Sequence, residues 1–357
     1  MELNAGGLCS LVVGRNDEIL TLKSYIEFSQ HTVISAPRRY GKTTLVNKVL
    51  DDLKDDYLIV KLDMFEVSSL DEFCDLYLNA IYSSIGITNF LFKAKESIFS
   101  LLDNFKLSYE SEGIKLGYDI SKEDNINKKV KRTINFANTF ATLFDKKMIV
   151  FIDEFGDIDK FGNDFVKKLR LYMQTHDNIV YIFVDSQTSV INDIFLNKQN
   201  AFFNFASLMN LGMLEENTTK GFIKNLKIQN KKFESDAIEV LYENTKFHPF
   251  YFVKTIQEAF IKAMLVNSKT INVFHVKDAI LKILDDNNAY FESIWQKINH
   301  KKYKGSIFKK YCNSQYEIKE INMNSSYKSQ LTKELRMESL LNNNNEATDP
   351  FLCMWLK

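Results

Sequence analysis

One short segment has the residue types and spacing that bind phosphate. Residues 36–43 read Ala-Pro-Arg-Arg-Tyr-Gly-Lys-Thr, which matches the pattern G-x-x-x-x-G-K-[ST] except that Ala36 replaces the first glycine. An apolar stretch ending at Ile34 precedes it, and an amphipathic stretch from Leu45 to Leu50 follows, so a loop joining a strand to a helix is predicted. Such a loop turns backbone N–H groups toward an anion at the helix N-terminus. The alternative is a chance Gly-Lys-Thr on a surface turn.

Each position of this loop has an expected role. Lys42 would reach the β and γ phosphates of a nucleotide, and the Thr43 hydroxyl would hold Mg²⁺. Ala36 is the smallest replacement for glycine, but its backbone must avoid the positive φ that glycine permits. The other residues expected to contact the nucleotide are Pro37, Arg38, Arg39, Tyr40, Gly41 and Thr44.

An acidic pair forms the second chemical signal. Five apolar residues, 148–152, are followed by Asp153 and Glu154, which indicates a strand buried on both faces whose carboxyl end emerges at a ligand crevice. Asp153 is the candidate Mg²⁺ ligand, and Glu154 is the candidate base that orients and deprotonates an attacking water. Acid pairs also cap helices, but the presence of the phosphate loop favours the metal site.

A third polar strand end follows the apolar residues 179–184. It reads Asp185-Ser186-Gln187. Ser186 and Gln187 could contact the γ-phosphate or the attacking water. Capping of the next helix is an equally good role for Ser186.

Strand and helix patterns alternate through the first part of the chain, which predicts an α/β fold with a parallel sheet and right-handed crossovers over residues 1–215. Within it, residues 89–131 are less regular and are expected to be an insertion of helix and loop. Helical patterns dominate residues 216–290, predicting a helical lid domain. Short helices and an asparagine-rich turn in residues 291–357 suit a winged helix-turn-helix.

Composition supports a globular protein. The 357 residues are 45% hydrophobic and carry no formal net charge, which favours two or three packed domains over a nucleic-acid coat. No apolar run approaches the ~18 residues of a membrane helix, and an export signal is missing. A soluble, cytoplasmic protein without membrane contact is therefore expected. The cysteines do not form C-x-x-C pairs, so we expect neither disulfide nor zinc site and a reducing compartment: they are Cys9, Cys74, Cys312 and Cys353.

Taken in order, these motifs resemble those of the archaeal-type ATPases, a prokaryotic group of P-loop proteins close to the AAA+ and STAND classes. The resemblance covers nearly the whole chain. It is carried by Val13-Gly14-Arg15 and Glu18, the phosphate loop, Ile152-Asp153-Glu154-Phe155, His248-Pro249-Phe250-Tyr251 and Asp349-Pro350-Phe351. It implies a P-loop core, a helical lid and a winged-helix-like C-terminal domain, with ATP and Mg²⁺ as cofactors.

The resemblance also implies roles for residues outside the loop. Gly14 and Arg15 would lie against adenine and ribose. His248 and Pro249 would occupy the lid position that senses the nucleotide, although a core histidine before an ordinary first-turn proline is the alternative. Arg170 would stabilise transition-state charge in the same chain or in a neighbour of a homo-oligomer, unless it is a surface residue.

Four positions depart from the family pattern. Ala36 replaces a loop glycine, Asp185 stands where a glycine precedes Ser186, and Phe247 stands where a glycine precedes His-Pro. Asn204 falls where relatives can carry arginine, so an arginine finger cannot be placed there. Slow or conditional hydrolysis is therefore expected.

Two functions follow from this reading. The first is an ATP hydrolase that acts as a conformational switch, with the lid relaxing on hydrolysis. The alternative is a low-turnover, nucleotide-bound scaffold or regulator whose residues 291–357 contact DNA or a protein partner; defence against mobile DNA is one process such proteins serve. The basic residues that could face phosphates are Lys301, Lys302, Lys304, Lys309, Lys310, Lys328, Lys333 and Arg336.

Overall fold

The computed structural model describes residues 12–84, 105–110, 113–118, 125–226, 230–313 and 324–357. In this part of the chain the strands, numbered in order, are β1 Thr32–Ser35, β2 Leu58–Asp63, β3 Phe105–Glu110, β4 Gly113–Tyr118, β5 Met148–Asp153, β6 Ile179–Asp185 and β7 Ser207–Asn210.

Five of these strands form one parallel sheet in the order β2-β5-β6-β1-β7. The strands β1, β5 and β6 are almost wholly buried along their length, because helices cover both faces of the sheet. This burial explains why their sequences are nearly continuous apolar runs. All carboxyl ends of the strands therefore lie at one edge, where the polar strand ends meet.

The helices of this domain are α1 Asn16–Glu27, α2 Lys42–Leu53, α3 Leu70–Ser83, α4 Ile126–Leu143, α5 Asn163–Met173 and α6 Thr188–Ile191, with 3₁₀ turns at Met64–Glu66 and Phe155–Phe161 and a π turn at Asn192–Leu196. Helices α1 and α2 pack on one face of the sheet. Helices α3, α4 and α5 pack on the other face. The predicted α/β class is confirmed.

The helices after the sheet are α7 Glu216–Asn225, α8 Ser235–Thr245, α9 Pro249–Leu265, α10 Val273–Asp286, α11 Asn288–Asn299, α12 Lys304–Cys312, α13 Ser325–Met337 and α14 Pro350–Trp355. Helices α7–α10, which lie in the segment predicted to form a lid and are called the lid below, share one hydrophobic cluster with the C-terminal helices α11–α14. Within it the Tyr251 and Phe351 rings stack at 4.1 Å. The two segments therefore pack as one unit.

A turn after α13 separates that helix from α14. Asn342 Oδ1 accepts from the backbone N–H groups of Asn344 and Glu346, and an antiparallel bridge joins Leu341 to Ala347. The turn predicted at this asparagine run is confirmed. Three helices followed by a short bridged turn are compatible with a winged helix, which stays a prediction.

Part of the predicted insertion differs from expectation. Where helix and loop were predicted, β3 and β4 pair as an antiparallel hairpin, and α4 already begins at Ile126. The alternation of apolar and polar residues in 105–110 is a strand pattern. Residues 85–104, 111–112 and 119–124 lie outside the described part of the chain.

The expectation of no disulfide is wrong. Cys312 and Cys353 form one, with Cα atoms 4.9 Å apart. They lie 41 positions apart in sequence, and only the packing of α12 against α14 brings them together. Cys74 is buried as a free thiol, and Cys9 lies outside the described residues. Across the described ranges, no helix combines the length and apolarity needed to span a bilayer.

Candidate functional site

The candidate site lies where β1, β5 and β6 end. Ser35, the last residue of β1, pairs in register with Asp185, the last residue of β6. The neighbouring strand β5 ends at Asp153. The phosphate loop, the acidic pair and Ser186 thus emerge side by side, as expected at the carboxyl edge of a parallel sheet.

The loop geometry suits an anion. Gly41 has a φ of 80° and starts α2, whose first turn has no side-chain cap in the described structure. Its backbone N–H groups therefore remain available to a ligand, with the helix dipole favouring negative charge. Ala36 is buried and its φ is not positive, so the alanine fits the loop without strain.

Lys42 lies inside this loop. Its Nζ donates to the carbonyl oxygens of Ala36 at 2.7 Å and Pro37 at 3.0 Å. The side chain is only 7% exposed, and burial lowers the pKa of Lys42 to about 8, opposed by the nearby charges of Glu154 and Asp153. The positive charge of Lys42 therefore interacts electrostatically with both Asp153 and Glu154.

The predicted metal ligands are in direct contact. Thr43 Oγ1 donates to Asp153 Oδ2 at 2.7 Å, and burial raises the pKa of Asp153. A hydroxyl and a carboxylate oxygen at the end of a phosphate loop fit Mg²⁺, which takes oxygen ligands and usually pairs one or two carboxylates with substrate phosphates. The residues present therefore suit the implied metal.

Glu154 has a fixed position beside this pair. It adopts a φ of 47°, in the left-handed region that non-glycine residues seldom adopt. Its Oε2 accepts a hydrogen bond from Ser186 Oγ at 3.1 Å, and Arg38 Nε donates to the same Ser186 oxygen at 3.4 Å. Ser186 does not cap α6, whose N-cap residue is Gln187. Ser186 instead connects the candidate base to the phosphate loop.

Asp185 has a role that sequence reasoning missed. Its carboxylate accepts from the backbone N–H groups of Gly156 at 2.7 Å and Gln187 at 2.6 Å, and burial raises its pKa. A Cβ on Gly156 would come within 2.6 Å of Asp185 Oδ2. Asp185 therefore holds the turn that follows Glu154, rather than facing the metal ligands.

Arg15 ties the loop to the segment after β7. Its guanidinium is buried and donates to the carbonyl oxygens of Gly212 at 2.6 Å and Tyr40 at 3.3 Å, and pairs with Glu18 at 2.6 Å. Gly14 has a φ of 63°, and a Cβ there would lie 2.6 Å from Thr219 Oγ1. Both residues pack at the junction of loop and lid, where their contact with adenine and ribose stays a prediction.

Arg39 leaves the loop toward the lid. Its φ is 68°, and its Cζ lies 4.7 Å from the centroid of the Phe250 ring and 4.2 Å from that of Tyr290. Its Nη1 donates to Asn287 Oδ1 at 3.2 Å and more weakly to Tyr251 Oη at 3.4 Å. The side chain therefore contacts the lid and C-terminal helices. The phosphate-loop motif alone did not indicate these contacts.

Tyr40 makes a second connection. Its hydroxyl donates to the carbonyl oxygen of Thr348 at 2.9 Å, and its ring contacts that of His248 edge-on at 4.9 Å. His248 caps α9 and Pro249 occupies the first turn. Burial, with the Arg39 charge second, lowers the pKa of His248 to about 3. His248 is thus a neutral core residue that also contacts the phosphate loop.

Arg170 is not brought to the site. Its guanidinium lies 4.1 Å from the centroid of the Phe205 ring and donates to Gln174 Oε1 at 2.8 Å. Phe205 precedes β7, at the opposite edge of the sheet from the phosphate loop. Arg170 therefore cannot act on a nucleotide held by Lys42 of the same chain.

The remaining two positions that depart from the family pattern both have a left-handed backbone. Asn204 and Phe247 have φ values of 55° and 58°. The Phe247 ring stacks on Tyr242 at 5.1 Å, and its carbonyl oxygen accepts from the backbone N–H of Leu214. Phe247 therefore supports the junction of sheet and lid at a position where glycine would be unstrained.

Comparison with known proteins gives structural matches alone. No family model matches the chain, and no curated protein matches it. The Walker-type ATPase of Pyrococcus abyssi is similar over 97% of this chain and 96% of its own, with 14% identity and a TM-score of 0.62. The chain therefore shares the fold of this Walker-type ATPase.

Two further solved structures share this fold. The ORC2 protein of Aeropyrum pernix, with ADPNP and ADP, matches over 99% of this chain and 96% of its own, at 10% identity and a TM-score of 0.62. The ORC1 protein of the same organism, in complex with DNA, matches over 95% of this chain and 87% of its own, at 8% identity and a TM-score of 0.53. At these identities the likeness concerns the fold.

Proposed function

We propose that this protein binds Mg·ATP and hydrolyses it. The observation that carries the proposal is the Thr43–Asp153 contact of 2.7 Å, made directly beside an uncapped helix N-terminus. Lys42 and Glu154 adjoin it. The fold shared with a Walker-type ATPase supports the same function.

Each residue of the site has a role in this reaction. Lys42 and the backbone N–H groups at the start of α2 bind the phosphates. Thr43 and Asp153 hold Mg²⁺, which supplies charge neutralisation at the phosphates. Glu154 accepts a hydrogen bond from the attacking water and orients it, while Ser186 fixes the position of the Glu154 carboxylate.

We further propose that nucleotide binding acts as a switch. The residues Arg39 and Tyr40 belong to the phosphate loop, yet their side chains contact the lid and C-terminal helices. A change in loop conformation when phosphate binds therefore alters the free energy of lid docking. Such coupling between loop and lid is what a conformational switch requires.

Substitutions at two positions test the hydrolysis proposal. Lys42→Ala should abolish ATP binding in isothermal titration, because the phosphates lose their cation. Glu154→Gln should keep ATP binding and lower phosphate release by about a hundredfold or more. The control is Lys48→Ala on α2, since Lys48 pairs with Asp52 outside the site. Wild-type ATP affinity in the Lys42→Ala protein would contradict the assignment.

A nucleotide-bound scaffold of low turnover that contacts DNA is the second candidate. The likeness to ORC1, which was solved with DNA, favours it. In the described part of the C-terminal helices, Lys301 and Lys304 pair with Glu334 and Glu338, and Lys309 lies over the Trp295 ring.

Lys310 and Lys328 are among the exposed lysines that have no acidic partner in the described residues. A mobility shift at low salt that weakens in Lys310→Gln and Lys328→Gln would support DNA contact. Phosphate release measured with and without DNA then separates a DNA-stimulated enzyme from a scaffold. A homo-oligomer, in which a neighbour supplies Arg170, also stays a prediction; sedimentation with and without Mg·ATP checks it.

A further inference from the structure

A cavity of about 990 Å³ lies between the sheet domain and the C-terminal helices. Its walls are the start of the phosphate loop at residues 35–37, the segment 208–213, helix α6 and residues 333–350. Lys42, Thr43, Asp153 and Glu154 are not among its lining residues. The phosphate loop therefore has the candidate ATP site on one side and this cavity on the other.

Three buried polar atoms of the lining have no hydrogen-bond partner within the described ranges. They are Ser35 Oγ, Arg336 Nε and Asn345 Oδ1. A buried polar atom without a partner costs roughly 1–3 kcal/mol. The three atoms are closed off from solvent, so they lie within the wall of the cavity and not on its surface.

The charge of the lining is positive. Lys333 and Arg336 lie three positions apart on α13, hence on one face of that helix, and Lys246 joins them from the lid. For the residues that the structure describes, none of these three cations has an acidic partner. The acidic residue of the lining is Glu346, whose Oε2 accepts from Asn342 Nδ2 at 2.7 Å. The cavity therefore attracts an anion.

The remaining walls are apolar or aromatic. Leu196, Leu211, Met213 and Tyr311 line the cavity alongside the polar groups. Small-molecule sites commonly enclose about 300–1,000 Å³ and combine apolar walls with a few placed polar groups. An anionic group joined to a flat, partly apolar ring meets these requirements, and a nucleotide has both parts.

We propose that this cavity is a second site, which binds a nucleotide phosphate ester. Its phosphate is held by Arg336, Lys333 and Lys246, and its ring lies against the apolar walls. The ester comes either from a free mononucleotide or from the 5′ end of a nucleic-acid strand. The site does not depend on ATP at Lys42, although both ligands contact the same loop.

The test uses the full chain carrying Lys42→Ala, so that the candidate ATP site does not contribute. Three probes are titrated by calorimetry: thymidine 5′-monophosphate, and a short oligothymidylate with and without a 5′-phosphate. Binding of the monophosphate, or of the phosphorylated strand alone, supports the proposal. Equal affinity for the monophosphate and the phosphorylated strand identifies the free nucleotide as the source. Tighter binding of the phosphorylated strand than of the monophosphate identifies a strand end.

Substitutions locate the binding. Adding Lys333→Gln and Arg336→Gln should lower the affinity for the probe by about tenfold or more, because charge-assisted hydrogen bonds are lost. Lys277→Gln on α10 lies outside the lining and should leave affinity unchanged. Lys246→Gln, which keeps the α13 cations, should weaken binding several-fold and serves if the double variant does not fold.

Three results would overturn the proposal. They are no binding of any probe to the Lys42→Ala protein, the same affinity after the α13 substitutions, or strand binding that ignores the 5′-phosphate. Wild-type protein titrated with ATP in the same series tests the proposed ATPase separately. Failure of that titration removes the ATP site and leaves the cavity result standing.

Discussion

The contact of Arg39 with the lid allows a quantitative prediction. Its guanidinium lies against the Phe250 and Tyr290 rings and donates to Asn287. A cation over an aromatic face contributes about 0.5–2 kcal/mol, and a hydrogen bond from a charged group about 1.5 kcal/mol at the long distances seen here. Arg39→Ala should therefore weaken loop–lid docking by about 2–4 kcal/mol.

A double-mutant cycle isolates one part of this energy. Arg39→Ala and Tyr290→Ala are combined, and unfolding in urea is followed by the fluorescence of Trp295 and Trp355, which lie in the C-terminal helices. The coupling energy between Arg39 and Tyr290 should be about 1 kcal/mol. The control pairs Arg39→Ala with Phe274→Ala, an exposed aromatic substitution on α10.

The control pair should be additive, because the Phe274 ring does not contact Arg39. Additivity of the Arg39 and Tyr290 substitutions would refute the reasoning, since it would mean that the stacked rings contribute nothing to docking. A coupling of equal size in both pairs would also refute it. In that case the loss would reflect general loosening of the lid rather than this contact.

Further predictions concern stability. Burial lowers the pKa of His248 to about 3, below the 6.5 of the unfolded chain. Below about pH 6.5 the unfolded state therefore binds more protons, and the free energy of unfolding falls by about 2 kcal/mol at pH ~5. Urea titrations of His248→Asn at several pH values should show a smaller fall in the free energy of unfolding. Gly156→Ala should lower the melting temperature and phosphate release because its Cβ meets a carboxylate, whereas Gly221→Ala, in open space on α7, should stabilise by up to about 1 kcal/mol. Reducing the Cys312–Cys353 disulfide should lower stability by about 2–4 kcal/mol, and unchanged tryptophan unfolding under reductant would contradict this.

Local patterns were sufficient for the predictions that depend on neighbouring residues. The apolar run before Asp153 and the loop before Lys42 each specify a strand end or a helix start, and the parallel sheet then places Thr43 against Asp153. The alternation in residues 105–110 is also a local signal, and its period of two favours the observed hairpin over the predicted helix and loop.

Contacts between distant segments could not be predicted in this way. Arg39 was expected at the phosphates, because the motif says nothing of the aromatic rings more than two hundred positions later. The role of Asp185 also depends on a distant segment, since its carboxylate accepts from the backbone N–H groups of Gly156 and Gln187. The Cys312–Cys353 pairing likewise depends on helix packing that spacing does not encode.

The shared hydrophobic cluster of α7–α14 has a mechanical consequence. Because Tyr251 stacks on Phe351, a rotation of the lid carries the chain's last helix with it. In the proposed switch the pivot would be the short link between β7 and α7, where a Cβ added to Gly212 would meet no atom within 4 Å. Helices far from the pivot travel along a wide arc, so a small displacement beside Arg39 becomes a larger one at the surface of α13 and α14.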